Sequence, residues 1–465
     1  MTTCEVEAQR ILVSLKTTKQ EIAIPGRSSP AYELTRPHES WLCVTVGFVY
    51  AFRVALTFLW FQSSPAQGTI VSVSLSLALL CTALLYTAIF ESTHDHRIEL
   101  PATLKYIFAY LALALISLLW TTTESTFVAF GYWAAMSADV LTIVLLVARQ
   151  DAERQVVQVM RGFVFASAIV AAVAWCAPTM NDLRLGNEDF LHPNAIGFEF
   201  AIATLCTLYL AREGTIWKIL GAAVGISLVR SLSKASIIGF AVAAGFYLLR
   251  EPGLRRRTKI ILVLGAVLGL VAFLGLIDVY VEQYTQDSQL ETVTGRTFIW
   301  AESLDIALEK PWIGHGFYSY RWIVPPFGVF EAWQAHNDAL QQFFSYGLAG
   351  LFISGALYYS FLRQLRRDSR GSLRTLAASL LLFCLVRGLV DTDIFGLSFP
   401  LWLMAALTLA LQESRGSYSF SSNNQRYPSG EYLISELGRT GSGLPIRDMS
   451  LFSNHSGNQG TSGED

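Results

Sequence analysis

Residues 294–350, TGRTFIWAESLDIALEKPWIGHGFYSYRWIVPPFGVFEAWQAHNDALQQFFSYGLAG, lie between two long apolar runs with the character of membrane spans. Arg296, His315, Arg321 and His336 are the main polar groups of this stretch. Connections between spans are mostly short, so a long one carrying aromatics, a helical pattern and several ionisable groups reads as a working region rather than a spacer. The remainder of the chain reads as its scaffold.

Composition agrees. With 52% hydrophobic and 15% charged residues and a mean hydropathy of +0.42, the 465-residue chain is too apolar for an ordinary soluble enzyme and fits a multi-span membrane protein. The net charge of -2 gives no sign of a nucleic-acid partner. Cys4, Cys43, Cys81, Cys176, Cys206 and Cys384 show no paired short spacing, so neither a disulfide framework nor a zinc site is expected. The polar first 40 residues lack the apolar core of a cleaved signal.

Apolar runs fall at 41–62, 67–90, 103–121, 126–148, 160–178, 193–212, 215–230, 235–249, 258–280, 340–362, 373–390 and 395–412. A helical span takes about 20 apolar residues, which predicts an all-α, polytopic chain of about 12 transmembrane helices. The short seventh and eighth runs, around SLVRSLSKAS, leave a fused or re-entrant arrangement open. Basic clusters before the first run and after the fourth, eighth and tenth all fall on one side of that topology, which marks a cytoplasmic face. The segment from Glu413 to Asp465 turns Ser-, Gly- and Asn-rich and reads as a disordered tail on the same face.

The opposite face carries only Arg184, Arg230, Lys234, Arg296, Lys310, Arg321 and Arg387. Insertion disfavours cations there, so this set points to an anionic ligand. His336 opens AHNDALQQFF, where Leu340, Phe343 and Gly347 recur at helical spacing. A helix N-terminus disfavours a protonated imidazole, which suits His336 to accepting a proton, although His336 and Asn337 also fit a plain helix cap. Arg296 precedes TFIWAESLDIALEK, in which Trp300, Leu304, Ala307 and Leu308 share one face and Pro311 closes the helix. A guanidinium at that end needs a nearby anion, or an ion pair with Glu291 or Glu302. Arg230, Ser231, Ser233 and Lys234 sit together in a short turn, where cations and hydroxyls suit phosphate oxygens or simply snorkel. LHPNAIG contributes His192 and Asn194 at a helix start, and RGLVDTDIF contributes Arg387, Asp391 and Asp393, able to pair among themselves. Arg53, Asp139 and Glu199 lie within spans and require partners or a wet cavity. Tyr318, Tyr320, Trp322 and Trp333 suit either a sugar pocket or interfacial anchoring.

HPNAIG, SLSKAS, GRTFIW with PWIGHGF, and AHNDALQQFFSYGLAG, in that order along residues 40–412, resemble the O-antigen ligase and O-antigen polymerase (Wzy-type) superfamily, which includes bacterial exopolysaccharide polymerases. The resemblance implies a bacterial inner-membrane glycosyltransferase that takes a glycan from undecaprenyl diphosphate and joins it to a sugar or lipid-core acceptor. It implies no cofactor and no metal. It makes His336 the essential histidine and Arg296 the essential loop arginine. A further family arginine meets Lys234, so its diphosphate-binding role falls to Lys234 or Arg230. Beside the resemblance, the reading of the residues themselves adds His192, Asn194, His315, Arg321, Asn337 and Arg387 as weaker substrate contacts.

On this reading residues 1–40 are a cytoplasmic segment, 41–280 carry helices one to nine, and 281–339 form one large periplasmic catalytic loop with an amphipathic helix. Residues 340–412 then carry helices ten to twelve and 413–465 the cytoplasmic tail. The bilayer and polysaccharide-assembly proteins are the further partners, and no nucleic acid is expected. GRTFIW and PWIGHGF look slightly closer to the polymerases than to the ligases. The alternative is a secondary transporter for an anionic or glycan substrate, although transporters place their charges near the midplane and show repeats.

Overall fold

The computed structural model describes residues 37–61, 64–89, 100–148, 151–177, 184–186, 191–251, 255–257, 259–261, 264–265, 268, 271, 275, 293–327, 331–367, 371–392 and 399–424. Its described elements are all helices: α1 (Pro37–Trp60), α2 (Pro65–Ile89), α3 (Ala102–Ser117), α4 (Thr126–Val147), α5 (Ala152–Cys176), α6 (Pro193–Leu210), α7 (Thr215–Arg230), α8 (Lys234–Arg250), α9 (Val293–Glu309), α10 (Tyr320–Ile323), α11 (Asp338–Arg367), α12 (Ser372–Arg387) and α13 (Phe399–Asn424). The described residues between 256 and 275 are helical too. Residues Met1–Arg415 form one compact unit and Gly416–Asp465 a second. Every apolar run of the sequence therefore meets helical residues. The last helix extends to Asn424, past the expected start of a disordered tail; residues 1–36 and 425–465, and with them most of both expected termini, lie outside the described residues.

Local chemistry sets several helix starts. Ser125 accepts a hydrogen bond from the Val128 amide at 3.3 Å to cap α4, Asp151 does the same from Arg154 at 3.2 Å for α5, and Pro193 opens α6 where its missing N–H costs nothing. Among the described residues, four helices are long and apolar enough to cross a bilayer by length and composition: Ala66–Ile89, Thr126–Val147, Ala152–Cys176 and Pro193–Leu210. Large apolar side chains such as Ile70, Leu85 and Phe127 face outward, the arrangement a hydrocarbon surround favours and water penalises.

α1 and α5 pack against each other. Small residues let backbones approach there: a Cβ on Gly162 would stand 1.9 Å from the Val44 carbonyl oxygen, and one on Gly47 2.0 Å from that of Val159. The charges inside the bundle find partners as required. Arg53 Nη1 pairs with Asp139 Oδ2 at 2.7 Å and donates to Ser76 at 3.0 Å, while Glu199 accepts from the Ser167 hydroxyl at 2.8 Å.

α11 departs from the sequence expectation of one continuous span over 340–362. It is broken at Gly347, whose φ of 61° and ψ of -151° leave the helical region. The segment 311–316 fills the break: the His315 and Gly316 amides donate to the Phe344 and Ser345 carbonyls at 2.9 and 2.8 Å, and the Leu348 amide donates to the Pro311 carbonyl at 2.8 Å. Non-helical backbone is tolerated at membrane depth only where protein satisfies it in this way. A Cβ at 347 would meet the Trp312 carbonyl carbon at 2.4 Å.

α9 also differs from expectation. It packs on α11 with Ile299, Ser303 and Ala307, each at 0% exposure, whereas Leu304 and Leu308 are exposed. The buried face therefore shares Ala307 with the predicted one but is rotated from it. Ser303 was invisible to an apolar pattern because its hydroxyl is buried through bonds to the Ile299 carbonyl at 2.5 Å and the Tyr320 hydroxyl at 2.6 Å.

Replacing Gly162 by Leu should overpack the α1–α5 crossing by about 1–3 kcal/mol or more. We expect the thermal unfolding midpoint of the detergent-solubilised protein to fall by several degrees, measured against the wild type; an unchanged midpoint would contradict the close crossing.

Candidate active site

The site forms where the ends of α6, α8, α9, α11 and α12 meet. His336, two residues before α11, has a φ of 48°, a left-handed backbone that a non-glycine residue holds only when its surroundings enforce it. Those surroundings are specific. The Trp300 indole donates to the His336 carbonyl at 3.3 Å, tying the turn to α9. Asn337 accepts from the Leu340 amide at 2.9 Å as the helix cap and donates its side-chain N–H to the Leu389 carbonyl at 2.9 Å. The Asp338 amide donates to the Gly388 carbonyl at 2.8 Å, which ties the same turn to the end of α12.

The centre of the site is a carboxylate. Asp391 Oδ1 lies 3.3 Å from His336 Nδ1 and accepts from Gln334 Nε2 at 3.2 Å and from the Thr392 amide at 3.0 Å. Its Oδ2 accepts from Arg387 Nη2 at 2.6 Å. The Asp391 and Arg387 side chains are 0% and 5% exposed, while the His336 side chain keeps 14%. Burial pushes the Asp391 carboxyl up, but the Arg387 charge, the His336 hydrogen bond and the Arg296 charge outweigh it and hold the group well below the usual carboxylate range. With an anionic acceptor at Nδ1, the neutral imidazole carries its proton there and keeps the Nε2 lone pair for another partner.

Arg387 is shared among elements. Its Nε donates to Ser236 Oγ on α8 at 3.2 Å, its Nη2 to the Asn194 carbonyl on α6 at 3.4 Å, and its guanidinium carbon lies 4.3 Å from the centre of the Phe198 ring. Arg296, in the first turns of α9, donates to the Val390 carbonyl next to Asp391. Arg296, His336, Asn337, Asn194 and Arg387 are thus brought together, as their residue types suggested.

The other predicted residues fall into two groups. His192 accepts from the Asn194 amide at 3.3 Å and caps α6, and Arg230 and Lys234 flank the Ser231–Ser233 turn between α7 and α8. That turn joins two separate helices, so the seventh and eighth runs are not fused. His315 and Arg321 make their contacts away from Asp391. His315 is buried, bonded through Nε2 to the Ile306 carbonyl at 2.8 Å and stacked on Phe344 with centroids 4.9 Å apart, which makes it part of the packing at the break in α11. Tyr320, grouped in the sequence with the pocket aromatics, is 1% exposed and belongs to the core through Ser303.

Sequence reading paired Arg387 with Asp391 but missed that Asp391 also reaches His336; Gln334 and Ser236 were missed altogether. The only signal for Asp391 was its i, i+4 spacing from Arg387, because a separation of 55 positions from His336 carries no pattern linking the two. Asp393 lies outside the described residues. Among the described residues, no group of three or more His, Cys, Asp or Glu side chains is placed to hold a metal ion.

An all-helical, multi-pass membrane protein with a histidine–carboxylate pair and arginines at its helix ends defines the class. Residues 219–355 match the family model described as O-antigen ligase, a range that holds Arg230, Lys234, Arg296 and His336. The chain is similar to the O-antigen ligase of Pseudomonas aeruginosa, with 29% identity over 198 residues, 41% of this chain and 46% of that protein. It is also similar to the exopolysaccharide production protein ExoQ of Rhizobium meliloti, with 24% identity over 335 residues, 63% of this chain and 73% of that protein. The match thus spans less than half the length of the first relative. These matches make the chain similar to members of the O-antigen ligase/polymerase superfamily, with the family model confined to residues 219–355.

Asp391→Asn should leave Arg387 buried beside a neutral group, at a cost of about 3–5 kcal/mol. Because the fold depresses the Asp391 carboxyl, its stabilisation is complete above the unfolded value of about 3.9 and is lost as pH falls below that toward the folded value. We expect the variant to melt below the wild type at pH 7 and the gap to narrow below about pH 4; a gap independent of pH would contradict the pairing.

Proposed function

We propose that this protein is an inner-membrane glycosyltransferase that moves a glycan from undecaprenyl diphosphate to a sugar hydroxyl in O-antigen or exopolysaccharide biosynthesis. The observation that carries the reading is the His336–Asp391–Arg387 arrangement beside Arg296 at the junction of five helix ends. His336 Nε2 takes the proton of the acceptor hydroxyl while the oxygen attacks the anomeric carbon of the carrier-linked sugar. The bond to the carrier oxygen breaks and its electron pair leaves on the diphosphate, whose growing charge meets Arg296 with Arg230 or Lys234. Asp391 keeps the imidazole in register and stabilises the imidazolium once formed, and Arg387 keeps Asp391 ionised. The single displacement inverts the anomeric centre and needs no metal or nucleotide sugar.

In the matching topology about twelve helices cross the bilayer, both termini face the cytoplasm, and the loop bearing α9 and α10 faces the periplasm. Ligase and polymerase differ here only in acceptor: a lipid core for the first, another carrier-linked repeat for the second. The GRTFIW and PWIGHGF motifs support a slight preference for the polymerase.

The test uses the purified full chain, a polyprenyl-diphosphate-linked oligosaccharide with its cognate acceptor, and excess EDTA. Wild type should transfer the glycan, and His336→Ala should lose about 10²- to 10⁴-fold in rate while keeping its thermal unfolding midpoint. A product ladder marks a polymerase and a single addition a ligase. No transfer by a folded wild type given cognate substrates would overturn the reading in favour of transport.

A further inference from the structure

Arg321 stands in an aromatic frame that the chemistry at His336 does not use. Its guanidinium carbon lies 4.7 Å from the centre of the Trp322 ring, 5.1 Å from that of Trp333 and 5.7 Å from that of Tyr318. Tyr318 in turn stacks on Tyr132 of α4, with centroids 4.8 Å apart and planes at 25°. The frame is built rather than incidental: Tyr318 is held at a φ of 63°, a strained backbone for a residue with a Cβ. Trp322 and Trp333 are nevertheless 39% and 59% exposed, so their faces are offered outward and do not fill a core.

Rings placed around a guanidinium leave its N–H edge as the binding surface. Among the described residues one of those donors is engaged, Nη1, which reaches the Tyr318 hydroxyl at 3.3 Å. The remaining N–H groups form the flat fork that a carboxylate accepts in pairs. Exposed indole faces carry negative quadrupole density that attracts the polarised C–H faces of a sugar ring. Chain geometry keeps this frame near the reacting group: Trp333 is three residues from His336, a span of at most about 11 Å, and Gln334 between them donates to Asp391. The diphosphate is assigned to Arg296 with Arg230 or Lys234 and Arg387 is held by Asp391, which leaves Arg321 for a different anion further along the glycan.

We propose that Arg321, Trp322, Trp333, Tyr318 and Tyr132 form a subsite for a carboxylate-bearing sugar of the glycan, such as a uronic acid residue. This rests on the glycan-transfer reading for its setting, but it is a statement about binding. The sugar lies against the indole faces and its carboxylate takes the free edge of Arg321.

The test measures binding by tryptophan fluorescence with the full chain in phosphatidylcholine nanodiscs, using a β-1,4-linked glucuronic acid tetrasaccharide and its neutral counterpart cellotetraose. Wild type should bind the uronate about tenfold or more tightly than the neutral sugar. Arg321→Gln should remove that preference, Trp333→Ala should weaken both sugars, and His336→Ala, dead in the transfer assay, should bind as wild type does. Equal binding of the two sugars, binding of neither, or a preference that persists in folded Arg321→Gln would overturn the subsite. So would uronate binding abolished by replacing half the lipid with phosphatidylglycerol, the sign that Arg321 serves an anionic headgroup. Because the readout is binding, failure here leaves the transfer result standing, and failure of transfer leaves this result standing.

Discussion

The Asp391 carboxylate is the constraint on which the rest of the site depends. A fully buried negative charge is tolerable only when opposite charge and hydrogen bonds surround it closely. Here the obligation is met by Arg387 at 2.6 Å, the Thr392 amide at 3.0 Å, Gln334 at 3.2 Å and His336 at 3.3 Å. Each partner is tied to something else. Arg387 carries the link to Ser236 and Asn194, and His336 carries the link to Trp300 on α9. One ionised group thus holds five helix ends in a common geometry, which no apolar contact does, since apolar packing specifies no direction.

That concentration of polar groups is possible because helix ends supply it without disturbing the spans. The interior of the bundle follows the opposite economy, with small residues at the α1–α5 crossing and one close ion pair between Arg53 and Asp139. Where backbone must leave the helix, at Gly347, the segment 311–316 supplies the missing donors and acceptors. The motif residues of that segment, His315 among them, thus take part in the packing that holds the break.

Much of this was legible from the residues alone. Long apolar runs announce helices because burying backbone in hydrocarbon leaves few options, and the insertion bias gathered Arg296 and Arg387 into one set with Arg184, Arg230, Lys234, Lys310 and Arg321, while His336 and Asn194 were singled out by their helix-start positions and motifs. Three features were not legible. The rotated face of α9 was hidden by Ser303, a hydroxyl whose partners come from elsewhere in the fold. The break in α11 was hidden because Gly347 sits in an otherwise uninterrupted apolar run and its strain is relieved by residues some thirty positions earlier. The bond between Asp391 and His336 was hidden because it is made by tertiary structure alone.

That last bond orders the events of synthesis. His336 emerges well before Asp391, and α11 and α12 must both be made and packed before the carboxylate reaches the imidazole. Until then both His336 and Arg387 lack the Asp391 carboxylate. A nascent chain halted after α11 therefore carries His336 without the carboxylate that meets its imidazole. The completed arrangement arrives late in synthesis, with the Arg387–Asp391 turn as its latch.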